Sequence, residues 1–346
     1  MSRLIPIDGT RGEGGGQILR TALGLAAATG QGFEMAGIRA GRPRSGLRPQ
    51  HLVAVRAAAM ACAAKVGGGF EGSPDLRFEP GPLVAGDFRC EIATAGSATL
   101  VLQTVLPPLA LAGAASRVEV TGGTHVPASP SCDYLARHWA SAVAWLGLEV
   151  KVQLVRAGFY PAGGGELRAE VSPWRESGAL RLEARGALLA VRGLSGAGRL
   201  RGEVARRQCD AAQNRLWEER RIEADWEVQD TAPAASPGSF LLLEAVFEAG
   251  RAAFCFLGER RLPAERLGDR AARRLLRFLE EDEGAVDPHL ADQLALPMAL
   301  RAGGRVTTCE VTSHLETVAE VLSLFGVPAR TLGRRGGPGA LEVERH

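Results

Sequence analysis

The run Ile7-Asp8-Gly9-Thr10-Arg11-Gly12-Glu13-Gly14-Gly15-Gly16-Gln17-Ile18-Leu19-Arg20 sets the frame for the rest of the 346-residue chain. Leu4–Asp8 reads as a short strand, Gly12–Gly16 as a loop, and Gln17–Ala28 as a helix. The same order of strand, small-residue turn and helix then recurs along the sequence. A strand over Phe33–Ile38 precedes a helix over Gln50–Val66, in which Val53, Ala57, Met60 and Ala64 repeat at helical spacing. Phe88–Thr94 is a strand followed by the turn Ala95-Gly96-Ser97 and a helix over Ala98–Ala110. Arg117–Thr121 leads through Gly122-Gly123 to a helix over Asp133–Leu146, and the strands Val150–Val155 and Glu166–Val171 close a second unit. A third unit shows a helix over Leu290–Leu300, a strand over Arg305–Val311, a helix from His314 to Phe325 and a last strand over Leu341–Glu344. The spacing therefore predicts an α+β protein of three repeated units.

The stretch between the second and third units has another character. It carries a charged helix at Glu203–Arg221, strands at Arg221–Val228, Phe240–Phe247 and Ala252–Leu257, and a second charged helix at Ala264–Glu280. The expectation is a core formed by residues 1–183 and 281–346, with a small α/β domain inserted at 184–280. The Ala232–Gly238 segment, rich in Pro, Ala and Ser, is a loop within that insert.

Composition excludes several classes of protein. With 46% hydrophobic and 23% charged residues the chain is an ordinary globular one, not a disordered one. Lys+Arg 41 against Asp+Glu 39 gives a formal charge of +2, which excludes a wholly basic surface but leaves room for a local basic groove. Lys65 and Lys151 are the only lysines, so arginine, which grips phosphate in a bidentate way, supplies the rest. An arginine, alanine and glycine excess also follows from GC-rich coding. The 6 cysteines lie far apart with no Cys-x-x-Cys pair, so neither a zinc knuckle nor a disulfide framework is indicated, and reduced thiols are expected. Gln103 and Pro107-Pro108 break the apolar Leu100–Ala115 run, which is too short for a membrane span. With no signal-like apolar stretch at the start, the expected location is the cytoplasm. An aromatic content of 5% provides no interleaved base-stacking platform, which favours recognition of a backbone or terminal phosphate over base reading.

Five motifs carry candidate chemistry. The glycine loop opening the first helix lets backbone N–H groups and the helix dipole meet an anion. Glu13 would repel that anion unless a Mg²⁺ lies between them; its alternative reading is a surface residue in a tight turn. Arg39, Arg42, Arg44 and Arg48, set among Gly41, Pro43 and Gly46 before Gln50-His51, form a constrained cationic loop suited to consecutive phosphates, or a solvated charged loop. Ser313 and Glu316 have capping-box spacing, which puts His314 at the first helical position, where the positive helix end favours the neutral, nucleophilic imidazole. His289-Leu290-Ala291-Asp292-Gln293 offers Asp292 and Gln293 as partners for a ribose hydroxyl or an imidazole N–H, and equally as helix-capping polar residues. Gln103, polar within an apolar helix, needs a partner if buried, and a ligand is one candidate.

Taken together, Ile7–Arg20, Arg39–His51 (RAGRPRSGLRPQH), Ala95–Leu109 (AGSATLVLQTVLPPL), Gly158–Glu166 (GFYPAGGGE), His289–Leu300 (HLADQLALPMAL) and Thr312–Val318 (TSHLETV) resemble the RNA 3′-terminal phosphate cyclase family over nearly the whole chain. The resemblance implies a three-repeat core like that of the enolpyruvate transferases, with the small insert described above. It implies ATP and a divalent metal, Mg²⁺ or Mn²⁺, acting on an RNA with a 3′-terminal phosphate. In the family's reaction a histidine is adenylylated with release of pyrophosphate. AMP then passes to the RNA 3′-phosphate, and the vicinal 2′-OH displaces it to leave a 2′,3′-cyclic phosphate. By the resemblance His314 matches the nucleophile and Glu13 a carboxylate associated with the metal. Gln103, Pro130, Asp292 and Gln293 match the nucleotide pocket. His289 stands where the family usually has tyrosine, keeping an aromatic face and losing the phenol. Arg20, Arg39, Arg42, Gln50 and His51 match the polar face near the phosphates.

The sequence departs from the family at Thr308–Ser313, where Glu310 brings a negative charge close to the expected nucleophile. A non-catalytic branch of the family, which serves in ribosome assembly, lacks the histidine; His314 aligns this chain with the catalytic branch. The alternatives are an RNA-binding assembly factor on the same fold and, by fold analogy, an enolpyruvate-type transferase. The oligomeric state, monomer or homodimer, stays open.

Overall fold

A computed structural model describes residues 3–12, 14–281 and 284–344. The first unit contains β1 (Ile5–Asp8), α1 (Gly16–Thr29), β2 (Phe33–Ala36), α2 (Pro49–Ala61), β3 (Lys65–Gly67) and β4 (Leu76–Glu79). The second contains β5 (Asp87–Glu91), α3 (Ala98–Leu109) and β6 (Ser116–Gly122). It continues with a π-helical segment at Tyr134–Trp139 running into α4 (Ala140–Val143), then β7 (Val150–Arg156) and β8 (Gly165–Val171). The short β9 (Leu180–Leu182) follows. After it come β10 (Leu188–Gly198), α5 (Val204–Arg220), β11 (Asp225–Gln229), β12 (Gly238–Phe247), β13 (Arg251–Leu257) and α6 (Ala264–Glu281). The chain then forms α7 (Pro288–Ala299), β14 (Gly304–Thr308), α8 (Ser313–Leu324), β15 (Ala329–Gly333) and β16 (Gly339–Val343).

Three sheets share one topology. Their orders are β1-β2-β4-β3, β5-β6-β8-β7 and β9-β14-β16-β15. In each, the first two strands are parallel and the others antiparallel. A parallel pair needs a crossover, and in the first two units α1 and α3 supply it. In the third unit the crossover from β9 to β14 contains the entire fourth sheet, β11-β10-β12-β13, with α5 and α6. The insert thus enters within the third unit, after its first strand, and not between the second and third units as the sequence reading had it. The cause of that difference is β9, three residues with no readable alternation.

The helices of the three units pack together beneath the sheets, and one apolar core, including the fully buried Leu23, Leu102 and Leu294, runs through all of them. Where α1, α3 and α7 meet, a Cβ on Gly24 would lie 2.6 Å from Leu296 Cδ2 and 3.3 Å from the Thr104 carbonyl. Glycine there sets how closely the units approach. A second core, with Leu241, Leu243, Leu275 and Phe278, lies between the insert's sheet and its two helices.

Candidate active site

A cleft of about 710 Å³ opens where the three units and the insert meet. Arg20, Arg39, Arg42, Gln50, His51, Gln103, Pro130, His289, Asp292, Gln293 and His314 all line it. They come from segments as far apart as Arg20 and His314 in the chain, and only the folded topology gathers them. Glu13 lies outside the described residues. A larger cavity of about 1520 Å³, with Asp8, Arg11, Glu34, Arg77, Glu316 and Glu320 among its lining residues, lies between the first sheet and α8 and contains none of the nominated side chains.

The start of α1 presents the positive end of a helix dipole to the cleft. Gly15 and Gly16 line it at the start of α1, where Gly15 caps the helix without a side-chain hydrogen bond and the first-turn N–H groups lack an internal partner. A Cβ on Gly16 would fall 2.6 Å from both Arg20 Nη1 and His51 Nε2, so glycine lets these two tips close over the helix start. The loop is also keyed to α8: Gly12 has φ +60, and a Cβ there would meet Thr317 Oγ1 at 2.0 Å.

His51 is a hydrogen-bond donor of fixed form. Its Nδ1 accepts the Arg48 backbone N–H at 3.1 Å, which leaves the proton on Nε2. Burial, then the neighbouring charges of Arg20, Arg39 and Arg48, push its pKa down to about 3, so the ring is neutral at any working pH. Gln50 Oε1 accepts the Ser97 N–H at 3.0 Å and ties the first unit to the cap of α3. Gln103 Nε2 donates to Gln293 Oε1 at 2.7 Å, joining the second unit to the third. That bond answers the question posed by a glutamine in an apolar helix: its partner is another residue of the cleft. Arg20 Nη2 donates to Gln17 Oε1 at 2.8 Å.

At α8 the structure corrects the sequence reading. Thr312, not Ser313, is the cap, its Oγ1 accepting the Leu315 N–H at 3.0 Å. Glu316 turns to Arg335 instead of closing a capping box. His314 is therefore the second helical residue, still in the first turn where the helix dipole acts. Glu310 is exposed and is not among the residues lining the cleft.

Sequence reasoning missed the wall contributed by the insert. Ala253, Phe254, Cys255 and Phe256 of β13 and Arg274 of α6 line the cleft, as does Tyr134. The run Ala252–Leu257 was legible as a strand, but nothing in it tells which edge faces another unit. Burial pushes the Cys255 thiol up to about 12, so it is no nucleophile near neutral pH.

A buried ionic chain fixes that wall to the core. Asp287 caps α7, its Oδ1 accepting from the N–H groups of His289 (3.1 Å) and Leu290 (3.0 Å) and from the Tyr134 hydroxyl (3.1 Å). Its Oδ2 accepts from the Ala253 N–H of β13 (3.2 Å) and from His138 Nε2 (2.8 Å). His138 Nδ1 meets Glu244 Oε1 of β12 at 3.1 Å, and Arg251 Nη2 meets the same oxygen at 2.5 Å. With a carboxylate at each ring nitrogen, His138 donates from both and is an imidazolium. Burial opposes its charge, but the hydrogen bonds to Asp287 and Glu244 outweigh that and raise its pKa. Burial likewise opposes ionisation of Asp287 and Glu244, and their bonds to His138, with Arg251 beside Glu244, hold both below the usual carboxylate range. The four charges cancel, which makes the burial tolerable.

Comparison with known proteins agrees with this architecture. The family model described as RNA 3′-terminal phosphate cyclase matches residues 11–329. The RNA 3′-terminal phosphate cyclase of Ralstonia nicotianae is 47% identical over 322 residues, covering 93% of this chain and 91% of that protein. The protein of the same name from Pseudomonas fluorescens is 43% identical over 343 residues, covering 99% and 98%. That from Salmonella typhimurium is 42% identical over 330 residues, covering 95% of each.

Proposed function

Because the chain belongs to the RNA 3′-terminal phosphate cyclase family, we propose that it converts an RNA 3′-terminal phosphate to a 2′,3′-cyclic phosphate, consuming ATP as a substrate. The observation that carries the reading is the gathering of His314, the Arg20–His51 pair over Gly16, and the Gln103–Gln293 bridge in one cleft. A nucleophile, a phosphate cradle and a nucleotide-sized polar pocket then share one space.

In this reading the His314 imidazole attacks the α-phosphorus of ATP; an N–P bond forms and pyrophosphate leaves. Arg20, Arg39 and Arg42, the His51 Nε2–H and the start of α1 hold the polyphosphate and offset its charge, which is the main demand of such transfers. An oxygen of the RNA 3′-phosphate next displaces His314 and takes the AMP. The 2′-OH then attacks the 3′-phosphorus, and AMP leaves. Asp292 and Gln293 serve the nucleotide, with Pro130 and the His289 ring bounding it.

A divalent cation, when bound, would supply charge neutralisation at the phosphates. The described residues hold no cluster of three or more His, Cys, Asp or Glu side chains suited to a metal. Mg²⁺ does not require one, since it is commonly held by one or two carboxylates together with substrate phosphates, and Glu13 is the carboxylate we assign to it. The same reading takes 184–280 as one inserted domain on a core of 1–183 and 281–346, and the cytoplasm as the place of action. None of the helices among the described residues is long and apolar enough to cross a membrane.

The test is conversion of a 3′-phosphorylated oligoribonucleotide. With ATP and Mg²⁺ or Mn²⁺ the product should resist phosphatase and be opened by acid. RNA binding with no ATP-dependent product would instead mark a non-catalytic assembly factor.

A further inference from the structure

The paired helices of the insert segregate their charge. Three acids of α6 face α5 and are engaged there: Glu265 with Arg207 at 2.7 Å, Asp269 with Arg215 at 2.6 Å, and Glu280 with Arg220 at 2.7 Å. Beside that row, Arg266, Arg270 and Arg274 recur every four residues and so follow one stripe along the helix. Arg266 and Arg270 are exposed, and Arg270 Nη1 lies 3.9 Å from Glu259 Oε1. Arg273 flanks the stripe and pairs with Asp269 at 2.9 Å.

The stripe runs into the candidate active site. Arg274 lines the cleft and lies over the Phe254 ring, 4.2 Å from its centroid, while Arg270 lies over Phe256 at 5.4 Å. Both rings belong to β13, the edge strand of the insert's sheet, and both line the cleft. An aromatic face holds a guanidinium by its flat side and leaves the in-plane N–H donors for a phosphate. Four residues of helix rise roughly 6 Å, a step comparable to that between successive phosphates of a single strand.

We propose that the Arg266–Arg270–Arg274 stripe is a docking track for the RNA backbone upstream of the reacting 3′ end, leading the strand from the cleft across the insert. This rests on the function proposed above. The track contacts phosphates and not bases, so it confers affinity for length without sequence preference. It also gives the insert a role in the reaction beyond closing one wall of the cleft.

The test compares two 3′-phosphorylated substrates, a dinucleotide that fills only the cleft and a dodecamer that reaches the track. In Arg266→Gln/Arg270→Gln the KM for the dodecamer should rise about tenfold or more, and the slope of log K against log salt concentration for its binding should become shallower by about 1.4 for two lost contacts on a single strand. The dinucleotide KM should stay at the wild-type value. Arg207→Gln, which alters the α5 side of the same helix pair, should leave both KM values unchanged, and all variants should melt with wild type. Equal KM values for variant and wild type on the dodecamer would overturn the track, as would the same loss in Arg207→Gln or an equal loss on the dinucleotide. Wild-type protein that cyclises neither substrate would overturn the underlying function instead.

Discussion

His138 is the keystone of the contact between insert and core, and replacing it with alanine tests the physical account of the site. The substitution removes the imidazolium between Asp287 and Glu244, all three side chains being almost wholly buried. Breaking a buried ion pair by deleting one partner costs about 3–5 kcal/mol. Here Glu244 keeps Arg251, and Asp287 keeps the N–H groups of His289, Leu290 and Ala253 and the Tyr134 hydroxyl. The cost should therefore fall at the lower end, about 3 kcal/mol. Unfolding entropy of roughly 2.1 cal/mol/K per residue over the chain converts this into a melting temperature lower by about 4 °C.

The same substitution has a defined pH signature. The folded pKa of His138 is raised, so its stabilisation is complete below about 6.5, its ordinary value, and is lost as pH rises through the folded pKa. Asp287 and Glu244 are depressed, so theirs is complete above about 4.3 and is lost as pH falls through their folded values. The gap between wild type and His138→Ala, followed by scanning calorimetry, should be widest between those limits and should narrow as the solution becomes alkaline. A variant that melts within about 1 °C of wild type across this range would refute the reasoning.

Three further substitutions probe the geometry. Gly16→Ala places a methyl 2.6 Å from the tips of Arg20 and His51; because both are side-chain ends, the fold should survive while the ATP KM rises about tenfold, equivalent to roughly 1.4 kcal/mol of lost phosphate binding, as read by initial rates. Gly193→Ala would bring its Cβ 2.2 Å from the Trp226 ring, and should destabilise the insert by about 1–3 kcal/mol, seen as earlier urea unfolding of tryptophan fluorescence. Gln103→Ala and Gln293→Ala share one hydrogen bond, so a double-mutant cycle on ATP binding should return a coupling of about 0.5–1.5 kcal/mol; a value of zero would mean that the bridge does not act in binding.

Much of this structure was readable in advance where local physics is strong. The glycine loop before α1 and the helices of the three units follow from periodicity and turn chemistry, and the recurrence of strand, turn and helix gave the repeated architecture. The elements that escaped are those whose reason is tertiary. β3 and β9 are three residues long and exist only by pairing with a neighbour. β10, the central strand of the insert, lacks alternation because Gly193 and Gly196 are required where the Trp226 and Phe240 rings lie across it. β4 and β15, likewise short, were hidden in loop-like composition.

The site divides in the same way. His314, the Arg39–His51 loop and the Asp292-Gln293 pair stood out as chemistry-bearing motifs, and the fold brings them to one cleft. The cap of α8 was misread by one residue because Thr312 and Ser313 are equally competent oxygen acceptors and only the backbone turn chooses between them. The Asp287–His138–Glu244–Arg251 chain was invisible because its members come from four segments that no spacing rule connects. The aromatic wall of β13 was hidden for the same reason.

The most direct test of the central claim is covalent labelling of the protein by ATP carrying a radiolabel at the α-phosphate, with Mg²⁺ or Mn²⁺ present. Wild type should take up an acid-labile label that survives denaturing electrophoresis and passes to a 3′-phosphorylated RNA on addition of that strand. His314→Ala should take up none while keeping the wild-type melting temperature. A label of equal intensity in His314→Ala, or cyclic product formed by wild type with no labelled protein at any time, would contradict the role assigned to His314.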